Sequence, residues 1–180
     1  MTAHPNDVVG FWRGAGPAKW FKKAPAFDEA IRLKFESTHH RAARGEYDDW
    51  AQSAEGALGL LILLDQFPRN LYRNSAHAFA TDAKARSIAR AAVERGFDRE
   101  VDPALRNFFY LPFEHSEDLA DQDFALALCT EAEVANHIKF AGLHRDINGR
   151  FGRFPHRNAA FGRVTTPEEQ AFLDEGGFSG

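Results

Sequence analysis

Ala57-Leu58-Gly59-Leu60-Leu61-Ile62-Leu63-Leu64 is the longest apolar run of the chain, and its flanks decide how it folds. Ser53 stands where an N-cap belongs, and Pro68 follows in Asp65-Gln66-Phe67-Pro68-Arg69-Asn70. A serine cap, an interior apolar all round and a proline stop describe a helix over 54–66 that is buried on every side. Gly59 inside it costs about 1 kcal/mol relative to Ala, which a close approach of a second helix explains.

The segments on either side read the same way. Pro25 opens an amphipathic helix with Phe27, Ile31, Phe35 and Ala42 near one face, and Gly45 stands just past its end. Before it, Asn6 caps a shorter helix through Trp12, with Trp20 and Phe21 tucked against the domain. After it, Thr81 caps a helix to Arg95, and Asp102-Pro103 starts one that runs into Phe108-Phe109-Tyr110-Leu111-Pro112-Phe113. That run is too apolar to lie outside a core, and Pro112 should break the helix there. Ser116 caps the next helix, periodicity from Leu119 to Arg150 fits two helices, and Thr166-Pro167-Glu168-Glu169 is a capping box with Pro at N1. No segment alternates with period two. The expected fold is all-α: a single helical domain over 1–180 with about seven to nine helices.

The 180 residues are enough for one core without staples. A formal charge of −4 argues against a nucleic-acid coat, and no nucleic-acid partner is expected. Seventeen Phe against three Tyr and three Trp make aromatic bulk the main packing material. Cys129 is the only cysteine, so it reads as a buried inert thiol, with no disulfide and no cysteine metal cluster. The first ten residues lack the pattern of a secretory leader, and the longest apolar run cannot span a bilayer. A cytoplasmic location without membrane contact is expected.

Three polar constellations stand out. The first is Asp65, Arg69 and Asn70 at the exit of the most apolar helix. The second is Glu114-His115-Ser116-Glu117-Asp118, set directly against the apolar run. The third is Arg153, His156, Arg157 and Asn158 in Arg150-Phe151-Gly152-Arg153-Phe154-Pro155-His156-Arg157-Asn158. The Glu114–Asp123 stretch carries five acids and no Lys or Arg, and the His144–Arg163 stretch five Arg and one acid. Blocks of opposite sign dock through bidentate Arg–carboxylate forks. One reading is a structural network in which Arg153 and Arg157 neutralise Glu114, Asp118 or Asp65. The other leaves Arg donors facing a pocket where they hold a carboxylate or phosphate. Metal ligation is a third possibility, through His115, Asp118 and His156 or the stripe Glu133, His137 and His144, though the spacing is generic. No phosphate loop is present, and Ser116 beside His115 reads as a helix cap, not a nucleophile. His39-His40 read as surface residues. No cofactor is expected.

Leu64-Asp65-Gln66-Phe67-Pro68-Arg69-Asn70, Phe108-Phe109-Tyr110-Leu111-Pro112-Phe113-Glu114-His115-Ser116-Glu117-Asp118 and the Arg150–Asn158 string, with Ala78-Phe79-Ala80-Thr81-Asp82 and the final Thr-Pro-Glu-Glu, occur in order along the chain. This set resembles the bacterial family numbered 924 in the domain-of-unknown-function series, which has relatives in some eukaryotes. The resemblance covers essentially the whole chain. It implies a tetratricopeptide-like fold of stacked antiparallel helix pairs, although the sequence shows no 34-residue repeat of that kind. It implies no activity. The expected function is binding of a small anionic ligand or an acidic peptide end where the three constellations meet, with Arg69, Arg153, Arg157 and His156 as donors and Asp65, Glu114, His115 and Asp118 orienting them. The alternatives are a metal-assisted hydrolase using His115, Asp118 and His156, and a helical protein-interaction module.

Overall fold

Ser53 and Thr166, read as caps from the sequence, sit at the starts of real helices. A computed structural model describes residues 3–178, and these contain helices and turns but no strand. Seven helices have eight or more residues: α1 (Pro5–Ala15), α2 (Pro25–Ala43), α3 (Ala54–Leu61), α4 (Asp82–Glu94), α5 (Leu119–Glu131), α6 (Ala135–Phe151) and α7 (Pro167–Asp174). The protein is all-α. None of the described helices is long and apolar enough to cross a membrane. The chain divides into two compact units. The first runs to Arg73 and resumes over His77–Pro112, and the second takes Asn74–Ala76 and everything from Phe113 on.

In the first unit α3 is the centre, packed against α1 and α4, with every residue from Gly56 to Leu61 buried. Ser53 caps it by accepting the Gly56 N–H at 3.2 Å. A Cβ on Gly59 would meet Pro5 Cα and Cβ at 3.4 Å, so α1 does approach there, at ordinary contact distance. The tighter requirement is at Gly56, where a Cβ would lie 2.0 Å from the Trp50 carbonyl oxygen. Around α3 the aromatic side chains close the core: Trp12 meets Phe67 and Phe108 edge-on at 5.6 Å each, and Phe35 lies 5.1 Å from Phe67. Trp20 is pinned by its indole N–H to the Trp12 carbonyl at 2.7 Å, while Phe21 stacks on Phe108 yet stays 66% exposed.

Pro68 does not end the central helix. The Phe67 N–H bonds back five residues to the Ile62 carbonyl, Ile62–Gln66 forms a π turn, and helix continues over Phe67–Leu71. Proline has no N–H to return to a carbonyl one turn earlier, so the ladder widens and releases acceptors. Side chains from α2 and the start of α4 take them: His39 Nδ1 donates to the Leu63 carbonyl at 2.8 Å, and Thr81 Oγ1 donates to that of Leu64. Thr81 therefore occupies the N-cap position of α4 without a side-chain bond to the helix. His39, expected at the surface, is buried for the same reason. A carbonyl only accepts, so Nδ1 of His39 carries the proton. Burial also lowers this imidazole's pKa.

Two other local expectations change. α1 is capped by His4 in a reciprocal box with Asp7, and Asn6 lies inside the helix. The stretch after Asp102-Pro103 makes a tight 3₁₀ turn at Arg106–Phe109 and a single α turn at Leu111–Glu114 in place of one long helix, yet Phe108 to Phe113 is buried throughout, as its composition demands. In the second unit α5 and α6 pack as consecutive helices, separated at Glu133 by a left-handed residue (φ 56°). The capping box of α7 is present as read: Thr166 Oγ1 accepts from the Glu169 N–H, and Glu169 accepts from the Thr166 N–H.

Candidate functional site

The first constellation is a closed ion-pair network inside the first unit. Asp65 is fully buried in the π turn, where Gln66 Nε2 donates to it at 2.6 Å and Arg69 Nη1 lies 3.3 Å away. Arg69 also grips Asp82 with both arms, at 2.9 Å each. Burial would lower the Arg69 pKa, but Asp65 and Asp82 outweigh it and hold the guanidinium charged. Asn70 donates to Asp28 at 2.8 Å, and Arg73 pairs with the same carboxylate. All three expected site residues here are spoken for.

The other two constellations meet inside the second unit. Asp118 caps α5 by accepting the Ala120 N–H, while Ser116, expected as the cap, accepts from Asp118 N–H and donates to Asp121. Gln122 Nε2 donates to the carbonyls of Glu114 and Ser116 at 2.7 and 2.6 Å, pinning the chain on both sides of His115. The Arg–carboxylate forks form with unexpected partners. Arg153 holds Glu169 at 2.6 and 2.8 Å, with Asn158 and the Thr166 N–H on the same carboxylate, and this lowers the Glu169 pKa to about 2. Arg163 holds Glu117 at 2.7 and 3.0 Å, and its fork with the Phe154 N–H outweighs burial and lowers the Glu117 pKa. Arg153 thus pairs with Glu169 where Glu114, Asp118 or Asp65 was expected.

Glu114 faces histidine. Its side chain is 1% exposed, and His144 Nδ1 donates to Oε2 at 3.2 Å while the Cys129 thiol lies 3.7 Å from Oε1. Burial and then Glu114 push the Cys129 pKa up, which leaves an inert thiol as expected. Because the carboxylate accepts, the proton sits on Nδ1 of His144. The His115 ring lies 6.4 Å from His144, and Arg157 donates to the His115 carbonyl at 2.9 Å with its guanidinium 4.4 Å over the Phe154 ring.

His156 completes the group. Its Nδ1 is sealed from solvent and meets no hydrogen-bond partner among the described residues. Burial lowers its pKa first, and the charges of Arg157, His144 and His115, only partly offset by Glu117, add to that and bring it to about 3. The ring is therefore neutral and sits in a positive field. His115, Asp118 and His156 do not form a ligand set: among the described residues no three His, Cys, Asp or Glu side chains are placed to share a metal ion. Glu133 lies outside α6, so it does not continue the face that carries His137 and His144. Sequence reasoning missed His144 as the partner of Glu114, and Phe178, whose ring lies 4.7 Å from His144 and 5.3 Å from His156. His144 stood out only as part of a helical stripe, and nothing local marked Phe178, because both contacts join segments distant along the chain.

A solved structure of a protein of unknown function from Agrobacterium tumefaciens is 50% identical and superposes with a TM-score of 0.92, covering 95% of this chain and 97% of that one. No functionally curated protein matches. The model of a family described as bacterial proteins of unknown function, DUF924, matches residues 8–177, and the chain belongs to that family.

Proposed function

We propose that the second unit binds a small anion, a carboxylate or a phosphate, free or at the end of a peptide, beside His156 and Arg157. The observation that carries this is the buried Nδ1 of His156, which lacks a partner among the described residues in a field made positive by Arg157. A buried polar atom without a partner costs free energy, and a positive field that repels a proton attracts an anion. The donor set is narrower than the sequence suggested. Arg69 and Arg153 are filled by carboxylates, and Asp65, Asn70, Asp118 and Asn158 hold structure. Glu114 orients His144, and His115 supplies the carbonyl that aims Arg157. The pair α5–α6 provides the frame, as a helix pair does in tetratricopeptide-like folds.

The test is calorimetric titration with acetate, succinate, inorganic phosphate and a short peptide with a free C-terminus. The wild type should bind at least one of them saturably. His156→Phe, which keeps the ring volume, should weaken that binding roughly tenfold with unchanged circular dichroism, as expected for a lost charge-assisted hydrogen bond. Equal binding by both proteins, or no saturable binding by the wild type, refutes the proposal.

A further inference from the structure

Four rings in the second unit form a closed circuit. His144 meets Phe154 at 5.6 Å, Phe154 meets His156 at 5.7 Å, His156 meets Phe178 at 5.3 Å, and Phe178 meets His144 at 4.7 Å. Three of the four are held by the packed body of the unit. His144 is on α6, Phe154 is 1% exposed, and His156 lies in the turn Pro155–Arg157 that follows it. Phe178 is different. It is carried by a short strap, Gly176-Gly177, that leaves the end of α7. Gly176 turns the chain with φ 82°, in the left-handed region that suits glycine. Gly177 passes so close to Phe172 that a Cβ there would lie 2.5 Å from its carbonyl oxygen and 2.6 Å from its ring. Both glycines are thus needed to set the Phe178 ring against the two imidazoles, edge-on to each, with interplanar angles of 77° and 78°.

We propose that the Phe178 ring stands in the place of the ligand's own ring, so that the anion bound by this unit is an aromatic carboxylate and the strap competes with it. This rests on the anion-binding reading above and extends it to the ligand's second group. With Phe178 displaced, His144, Phe154 and His156 leave a three-sided aromatic slot, and aromatic rings favour edge-to-face and offset neighbours of this kind. Arg157, its guanidinium 4.4 Å from the Phe154 ring centre, supplies the charge that an attached carboxylate needs. A site whose binding-competent form is a minor population binds more weakly in proportion, so emptying the slot should strengthen binding.

The experiment compares acetate and phenylacetate on wild type, Phe178→Ala and Gly177→Ala. The first variant removes the ring, and the second displaces the strap but keeps it. Circular dichroism and thermal melting confirm that each variant is folded. Both variants should bind phenylacetate roughly tenfold more tightly than the wild type, with acetate affinity unchanged. If acetate binds all three alike and phenylacetate gains nothing, the ring subsite is refuted while anion binding stands. Weaker phenylacetate binding by Phe178→Ala makes Phe178 a wall of the site and also overturns the proposal. If neither anion binds any of the three, both readings fail.

Discussion

Protonation of His156 offers a quantitative check on the electrostatics of the site. Its ordinary pKa is 6.5, and in the folded protein burial, followed by Arg157 and His144, lowers it to about 3. Between these values the unfolded chain holds a proton that the folded chain refuses, so stability present above pH 6.5 is lost as pH falls toward 3. At about 1.4 kcal/mol per pH unit, this one ring should remove about 2 kcal/mol between pH 7 and pH 5. His156→Phe has no such proton to bind and should lack that component, while His39 and His137, also lowered by burial, contribute equally to both proteins. Urea unfolding followed by helical circular dichroism at pH 7 and pH 5 measures the difference between wild type and variant. A histidine-resolved nuclear magnetic resonance titration locates the midpoint directly. Equal pH dependence in the two proteins, or a His156 midpoint near the ordinary imidazole value, would show that the ring is neither desolvated nor in a positive field. A bound anion should raise the midpoint and flatten the wild-type slope, because it favours the imidazolium.

Two further outcomes follow from packing and charge. Arg69→Ala removes the guanidinium that pairs with both Asp65 and Asp82, and should cost about 3–5 kcal/mol in urea unfolding, as for a broken buried pair; a loss below about 1 kcal/mol would mean that the network behaves like a surface one. Gly56→Ala drives a Cβ to 2.0 Å from the Trp50 carbonyl oxygen and should lower stability by about 1–3 kcal/mol. Gly59→Ala meets only ordinary contacts and should gain up to about 1 kcal/mol from helix propensity; the reverse order in thermal melts would refute this reading of the two glycines.

The all-α class and most helix ends were legible in the sequence, because caps, left-handed glycines and the 3.6-residue period act within a few residues of chain. Ser53, Gly45 and the Thr166–Glu169 box work in the structure as they read in the sequence. The burial of Phe108–Phe113 was equally legible, since six consecutive apolar residues have no other place to go. Pro68 marks the limit of such local reasoning. Its missing N–H guarantees a break in the hydrogen-bond ladder, but whether the helix stops or widens depends on whether other side chains cap the released carbonyls. Only the fold brings His39 and Thr81 there.

The candidate site divides in the same way. Opposite charge blocks were visible, but Coulomb attraction is poorly directional, and packing chose Glu169 for Arg153 and Glu117 for Arg163. His115, His156 and Arg157 stood out as chemistry-bearing residues. That His156 is neutral, that Glu114 faces His144, and that a ring beyond two glycines closes the cluster depend on burial and on contacts between distant segments. Tertiary structure alone decided them, because the field at a buried ring is summed over neighbours in space and not along the chain.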